Sequence, residues 1–295
     1  MIIVKLIGGL GNQMFQYAFG RKLALTHQTN LKLDIEELSS KIEKDDFTLR
    51  NFDLSVFSIN AEIASSDEIK RFQVTKTTKL LHMLSLNFPI RPRNFYLREP
   101  HHHYFVNALK APTNTYAYGY WQTEKYFASI RKELLDDFKT KHELSDVSKK
   151  IAAKIIDSNS VSIHVRRGDY VSNAMNFKIH GLCGADYYLR AIDSIAEKVK
   201  DPCLFVFSDE PSWFKENIKS NFPVVFVEHN QVQNSYEDMI LMSMCQHNII
   251  ANSSFSWWAA WLNINENKIV IAPKKWMNDS PKNTKDVIPE TWIKL

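Results

Sequence analysis

The chain has 295 residues, 44% of them hydrophobic, 12% aromatic and 24% charged, with a formal charge of +4 at neutral pH. That length predicts two domains with separate cores, and the composition is that of an ordinary globular protein rather than a disordered chain. The basic residues are spread rather than clustered, which argues against a nucleic-acid partner, and Cys183, Cys203 and Cys245 are too scattered for a disulfide framework or a zinc site.

The first predicted element is a strand, IIVKLI, that runs into the glycine turn GGLG. A helix follows, with Phe15, Ala18, Phe19 and Leu23 at helical spacing, and LKLDI at 31–35 reads as the next strand. From about residue 60 to 115 no period stands out. The lysine-rich stretch KTKHELSDVSKKIAAKIIDSNS marks a change of character, and the boundary is expected there, giving domains 1–152 and 153–295. Beyond it come the short apolar runs VSIHV (161–165), LFVF (204–207), VVFV (224–227), NIIA (248–251) and KIVIA (268–272). Between them, Tyr188, Ala191, Ile192 and Ile195, then Tyr236, Met239, Ile240, Ser243 and Met244, recur with helical period. Strands alternating with helices predict an α/β fold whose parallel sheets are covered on both faces.

Ligands of open α/β sheets gather beyond the carboxyl ends of the strands, and this chain places its unusual polar residues there. HVRRGD ends the first strand of the second half; side chains alternate along a strand, so His164 and Arg166 share one side while Arg167 points away. Arg166 is expected to bind an anionic ligand through its planar fork, and Arg167 with Asp169 to brace the turn at Gly168. Asn252, Ser253 or Ser254 can cap the helix that SFSWWAAWL begins, leaving its first N–H groups for an anion or simply ending a helix well. Trp257, Trp258 and Trp261 read as core, and in SDEP Asp209 is either a cap or an acceptor for a ribose or guanine. The loop GGLGNQ with Asp34 after it has part of a dinucleotide fingerprint but lacks the third glycine; Asn12 and Gln13 instead stand where they could orient a hydroxylated acceptor. His101, His102 and His103 are adjacent rather than spaced for a metal, and no D-x-D occurs.

GGLGNQMFQYA (8–18), GYWQTEKYF (119–127), HVRRGDYV (164–171), FSDEPSWF (207–214), NIIANSSFSWWAAWLN (248–263) and the closing DVIPETWIKL together resemble glycosyltransferase family 11, the α-1,2-fucosyltransferases, in its bacterial form. The resemblance runs from the first strand to the last residue. It implies a GT-B-like pair of Rossmann-like domains whose parallel sheets face a cleft, the first binding mainly the acceptor and the second GDP-fucose. It also implies an inverting, metal-independent transfer of L-fucose from GDP-β-L-fucose to the 2-hydroxyl of a galactose-terminated glycan, with no cofactor. Arg166 then meets the β-phosphate, His164 the nucleotide, Asp209 the guanine or ribose, and Ser253 and Ser254 the diphosphate, while Asn12, Gln13 and Glu124 face the acceptor. The general base stays open among Asp169, Glu124 and Asp238, as do the oligomeric state and the galactoside preferred. No uninterrupted apolar run is long enough to span a membrane, so a bacterial cytoplasm is expected, with peripheral attachment to the inner membrane through basic surface residues as a further option. O-antigen or capsule assembly is the pathway that the resemblance implies.

Overall fold

Ile2, Ile3 and Val4 are fully buried because β1 (Ile2–Lys5) is the middle strand of a five-stranded sheet. The structure, a computed structural model, describes residues 1–39, 51–72, 94–168, 177–178, 181–230, 234–278 and 284–295. The chain forms two units, Met1–Lys141 with Lys285–Val287, and His142–Thr284 with Ile288–Leu295. In the first unit β2 (Leu31–Asp34), β3 (Glu62–Ile63), β4 (Phe95–Arg98) and β5 (Thr115–Tyr118) complete the sheet in the order β3-β2-β1-β5-β4. Every neighbouring pair is parallel, so each connection must cross over a face and the middle strand is apolar on both sides.

The first crossover is α1 (Leu10–Thr26), and Gly20 sets its distance from the sheet: a Cβ there would lie 2.3 Å from Val4 Cγ2 and 2.8 Å from Leu31 Cδ1. The close helix–strand approach that a third loop glycine would permit is thus supplied from inside the helix. The remaining described α-helices of this unit are α2 (Glu36–Ser39), α3 (Ser66–Lys70) and α4 (Arg131–Asp137), with four short 3-10 turns besides. Ser65 and Glu68 form a capping box that starts α3.

The second unit runs α5 (Asp146–Ile156), β6 (Ser160–Val165), α6 (Ala185–Ala196), β7 (Cys203–Ser208), α7 (Pro211–Asn217), β8 (Val224–Val227), α8 (Ser235–Met244), β9 (His247–Ile249), α9 (Ser254–Leu262), β10 (Val270–Ala272) and β11 (Ile293–Lys294). Its six strands, all parallel, lie in the order β11-β10-β9-β6-β7-β8. Each apolar run in the second half of the sequence becomes a strand of this sheet, and the α/β architecture with two parallel sheets is the one expected. Trp257, Trp258 and Trp261 are buried core residues.

The division between the units falls after Lys141, whereas the composition placed it after residue 152. The reason is α5, which belongs wholly to the second unit: its cap Ser145 donates its hydroxyl to Glu237 of α8 at 2.7 Å. Burial alone would raise Glu237, but hydrogen bonds from Ser148 and Ser145 and the nearby His229 hold its carboxyl below the usual range. Among the described residues no helix is long and apolar enough to cross a membrane.

Candidate active site

In the second unit β6 lies between β7 and β9, so the loops leaving the carboxyl ends of these three strands are neighbours. They carry Arg166, Asp209 and Ser253. Arg166 Nη1 lies 2.9 Å from Asp209 Oδ2, with the two side chains 29% and 24% exposed. The other oxygen of Asp209 accepts the Arg167 N–H at 2.9 Å, so Asp209 joins the loops after β6 and β7. Gly168 is required beside it, because a Cβ at that position would stand 2.7 Å from Asp209 Oδ2.

The two arginines, just beyond the end of β6, meet consecutive acids of the loop after β7. Arg167 turns to Glu210, Nε to Oε2 at 2.9 Å, and its guanidinium carbon lies 4.3 Å from the centre of the Trp213 ring. The bracing partner expected for it, Asp169, lies outside the described residues; the acid that Arg167 meets is Glu210. Trp213 adds a flat surface under the guanidinium, which helps hold the Arg167 side chain in place.

His164 is 93% buried, being only 7% exposed, and its Nδ1 has no hydrogen-bond partner among the described residues. Its backbone carbonyl accepts the Tyr188 hydroxyl at 3.1 Å, and its ring centre is 5.7 Å from that of Phe255 in the first turn of α9. Burial pushes the imidazole down to about 4, Asp209 working against the shift and Arg166 with it, so His164 is neutral at physiological pH. Ser253 caps α9, accepting the Phe255 N–H at 3.3 Å, and Ser254 is the first helical residue. Asn252 ties this turn to its surroundings: it accepts from Cys183 Sγ at 3.6 Å and donates to the Trp276 carbonyl at 3.5 Å. Burial holds the Cys183 thiol up at about 11, so it acts as a packed thiol rather than a nucleophile.

In the first unit the same strand ends are polar. Asn12, in the first turn of α1, accepts the Gln122 amide at 2.7 Å through Oδ1. Gly8 has a φ of +76°, and a Cβ there would come within 2.6 Å of Asn12 Nδ2. Gln13 departs from its expected place facing an acceptor. It is fully buried, donates to the Gly8 and Asn51 carbonyls at 2.9 and 2.8 Å, and accepts the Asp53 N–H at 3.0 Å. With its amide bonded to two backbone segments, at Gly8 and at 51–54, Gln13 is a loop brace. Asp34 is likewise engaged by the protein, one oxygen accepting the Tyr116 hydroxyl at 2.5 Å and the other the Glu36 N–H at 2.9 Å, and it is buried. Glu124 opens a 3-10 turn, half-buried, and its charge acts on Arg131.

Sequence reasoning missed Glu99, Trp121 and Gln122 as a group. Glu99 follows β4 directly and its carboxylate accepts the backbone N–H groups of Tyr120 at 2.7 Å and Trp121 at 3.0 Å. Trp121 has a φ of +57°, which costs about 1–2 kcal/mol for an L-residue. Its fully buried ring stacks on Phe19 with centres 4.0 Å apart. The acid after FYLR was the available signal, but its meaning depends on β4 pairing with β5. The histidine run lies nearby: the His101 and His103 rings stack with centres 3.4 Å apart, and no group of three metal-ligating side chains occurs among the described residues.

Comparisons with known proteins agree with this architecture. The chain is 34% identical over 301 residues to an Escherichia coli alpha-1,2-colitosyltransferase, covering 100% of this chain and 99% of that one. It is 36% identical to the Escherichia coli O-antigen biosynthesis glycosyltransferase WbnK, covering 98% and 99%. A galactoside alpha-(1,2)-fucosyltransferase 1 from Ateles belzebuth is 30% identical over 146 residues, 46% of this chain and 40% of that protein. Among solved structures, an Arabidopsis thaliana FUT1 mutant in complex with GDP superposes with a TM-score of 0.51 at 12% identity, covering 95% of this chain and 72% of that one, a likeness of fold. The profile of Glycosyl transferase family 11 matches residues 1–295, and with two full-length relatives above 30% identity the chain belongs to that family, a glycosyltransferase on a GT-B-like fold.

Proposed function

We propose that this glycosyltransferase moves L-fucose from GDP-β-L-fucose to the 2-hydroxyl of a terminal galactose in a surface glycan, with inversion at C1 and without a divalent metal. The observation that carries the reading is the meeting of Arg166, the neutral buried imidazole of His164 and the N-terminus of α9 at the carboxyl ends of β6 and β9. A guanidinium, an imidazole nitrogen without a protein partner among the described residues and a capped helix end together suit a diphosphate. In this reading the second unit binds the donor and the first unit, through Asn12 and Glu124, the acceptor. The cytoplasm is its proposed place of action.

The chemistry follows from where charge grows. The acceptor oxygen bonds to C1 as the bond from C1 to the β-phosphate oxygen breaks, and the electron pair leaves with GDP. The sugar passes through an oxocarbenium-like state, and the acceptor proton goes to a carboxylate or to a phosphate oxygen. Arg166 and the first N–H groups of α9 stabilise negative charge that is largest in the transition state, so they raise kcat as well as affinity. Asp209, expected at the ribose or guanine, is read here as the group that holds Arg166 at its angle. Asn12 has no proton-accepting capacity at neutral pH and acts as an orienting donor.

A second donor has support from the full-length likeness to a colitosyltransferase. Colitose is fucose without its 3-hydroxyl, so the same diphosphate seat serves both. The deciding experiment offers GDP-fucose and GDP-colitose in EDTA with a panel of β-galactosides, measuring GDP release and product linkage by NMR. An α-1,2-linked fucoside formed in EDTA supports the reading in full. Preference for GDP-colitose replaces the sugar, and no transfer in EDTA with recovery on adding Mg²⁺ overturns the metal independence.

A further inference from the structure

We propose that Glu99 is a positioning residue for Asn12, clamping the turn after β5 so that Gln122 is delivered to the Asn12 side chain. The inference rests on the transfer reading only for Asn12 facing the acceptor; the clamp itself is a matter of geometry. β4 and β5 pair in register, Arg98 beside Tyr118, and the Glu99 N–H continues the ladder to the Tyr118 carbonyl at 2.9 Å. Both strands therefore end together. The next residue of β5's chain is Gly119, where a Cβ would fall 2.3 Å from Glu99 Cβ, so only glycine lets the acid fold over the turn.

From there each carboxylate oxygen takes one backbone N–H, Oε2 that of Tyr120 at 2.7 Å and Oε1 that of Trp121 at 3.0 Å. Trp121 is held at positive φ, and its carbonyl accepts the Thr123 N–H at 2.8 Å. Gln122, between these two fixed residues, has its side chain aimed at Asn12 Oδ1, 2.7 Å away. That bond fixes the Asn12 amide, whose Nδ2 lies over Gly8, and in the transfer reading this fixed amide is what meets the acceptor sugar. Glu99 thus acts on the site through Trp121 and Gln122 without touching substrate.

The clamp works only while the carboxylate is charged. A protonated acid would set a donor against an N–H. Burial holds Glu99 up at about 7, against the pull of the two backbone N–H bonds. The other titratable groups that feel it are the phenols of Tyr120 and Tyr126, both raised by burial and neutral throughout this range; Tyr126 also senses Asp286 and Tyr120 also senses Glu37. The turn therefore loosens as pH falls through 7.

The test uses the full chain, with nitrogen-15 spectra and transfer kinetics in parallel. In the wild type the backbone amides of Tyr120 and Trp121 and the side-chain amides of Gln122 and Asn12 should shift together with a midpoint near pH 7, and Glu99→Gln should abolish that shared titration. Glu99→Gln should also raise the acceptor KM about tenfold at pH 8, flatten its pH profile, and leave GDP affinity within about twofold. Gln122→Met should copy the KM effect and add nothing to Glu99→Gln, which covers the case in which the acid variant folds poorly. Titration of Tyr120 and Trp121 with Gln122 and Asn12 unmoved overturns the relay. So does loss of kcat at every pH with the amide signals intact, which would make Glu99 a direct base. If the wild type transfers no sugar, the function reading fails by itself, and the spectra still decide the clamp.

Discussion

The guanidinium of Arg166 meets the carboxylate of Asp209 at 2.9 Å, joining the loops that leave β6 and β7. Both side chains are partly exposed, so the pair adds little to folding, and its removal reads out function rather than stability. Arg166→Ala should lower transfer about 10²–10³-fold with an unchanged melting temperature. A folded variant with near wild-type turnover would contradict the assignment.

Gly168→Ala tests the same pair without altering a charge. The added methyl would press on Asp209 Oδ2 at 2.7 Å and Cγ at 3.1 Å, rotating the acid away from Arg166. GDP affinity measured by calorimetry should fall about tenfold. Unchanged affinity would mean that Asp209 does not set the arginine's angle.

Asp238 in α8 gives a stability prediction with a definite sign. Burial pushes its carboxyl up to about 7, opposed by the Asn230 amide, which donates to it at 2.7 Å. The folded chain therefore keeps this proton over a range where the unfolded chain, titrating near 3.8, has lost it. Its cost is absent below the unfolded value, grows as pH rises, and is complete above 7, at a few kcal/mol. Asp238→Asn keeps an acceptor for Asn230 and cannot ionise, so its melting temperature should match the wild type near pH 4 and exceed it increasingly up to pH 8. A constant difference across that range would refute the account.

Gly20→Ala should destabilise the first unit by about 1–3 kcal/mol, since α1 must back away from Val4 and Leu31 to admit a methyl group. Denaturant unfolding measures this directly. The variant should keep GDP affinity, because the nucleotide seat is proposed in the other unit.

Five of the six strands of the second sheet were legible in the sequence because they appear as apolar runs between helices of clear period, whereas the two-residue edge strand β11 was not. The first sheet was legible only at β1 and β2. β3 has two residues, both exposed, and β4 and β5 are short and rich in tyrosine, so nothing in 60–115 carries a period long enough to detect. The partners of Arg166 and Arg167 were not legible, since Asp209 and Glu210 become their neighbours only when β6 and β7 pair. Gln13 was misjudged because a glutamine at a helix start looks the same whether it faces solvent or two backbone segments. Glu99 escaped notice because its importance lies in the turn it folds over.

Residues Lys285–Val287 belong to the first unit although the residues on either side belong to the second. Asp286 supplies an acid to Lys125, 2.7 Å from its Nζ, and accepts the Tyr104 N–H at 3.0 Å. The last eight residues then return to the second sheet, where Trp292 packs on Trp257 and β11 pairs with β10. The two units are therefore not two stretches of gene. A fragment cut after Lys141 would leave a lysine and a backbone N–H without their acid, and a chimera meant to exchange the first unit would have to carry both 1–141 and the 285–287 codons into its new host sequence.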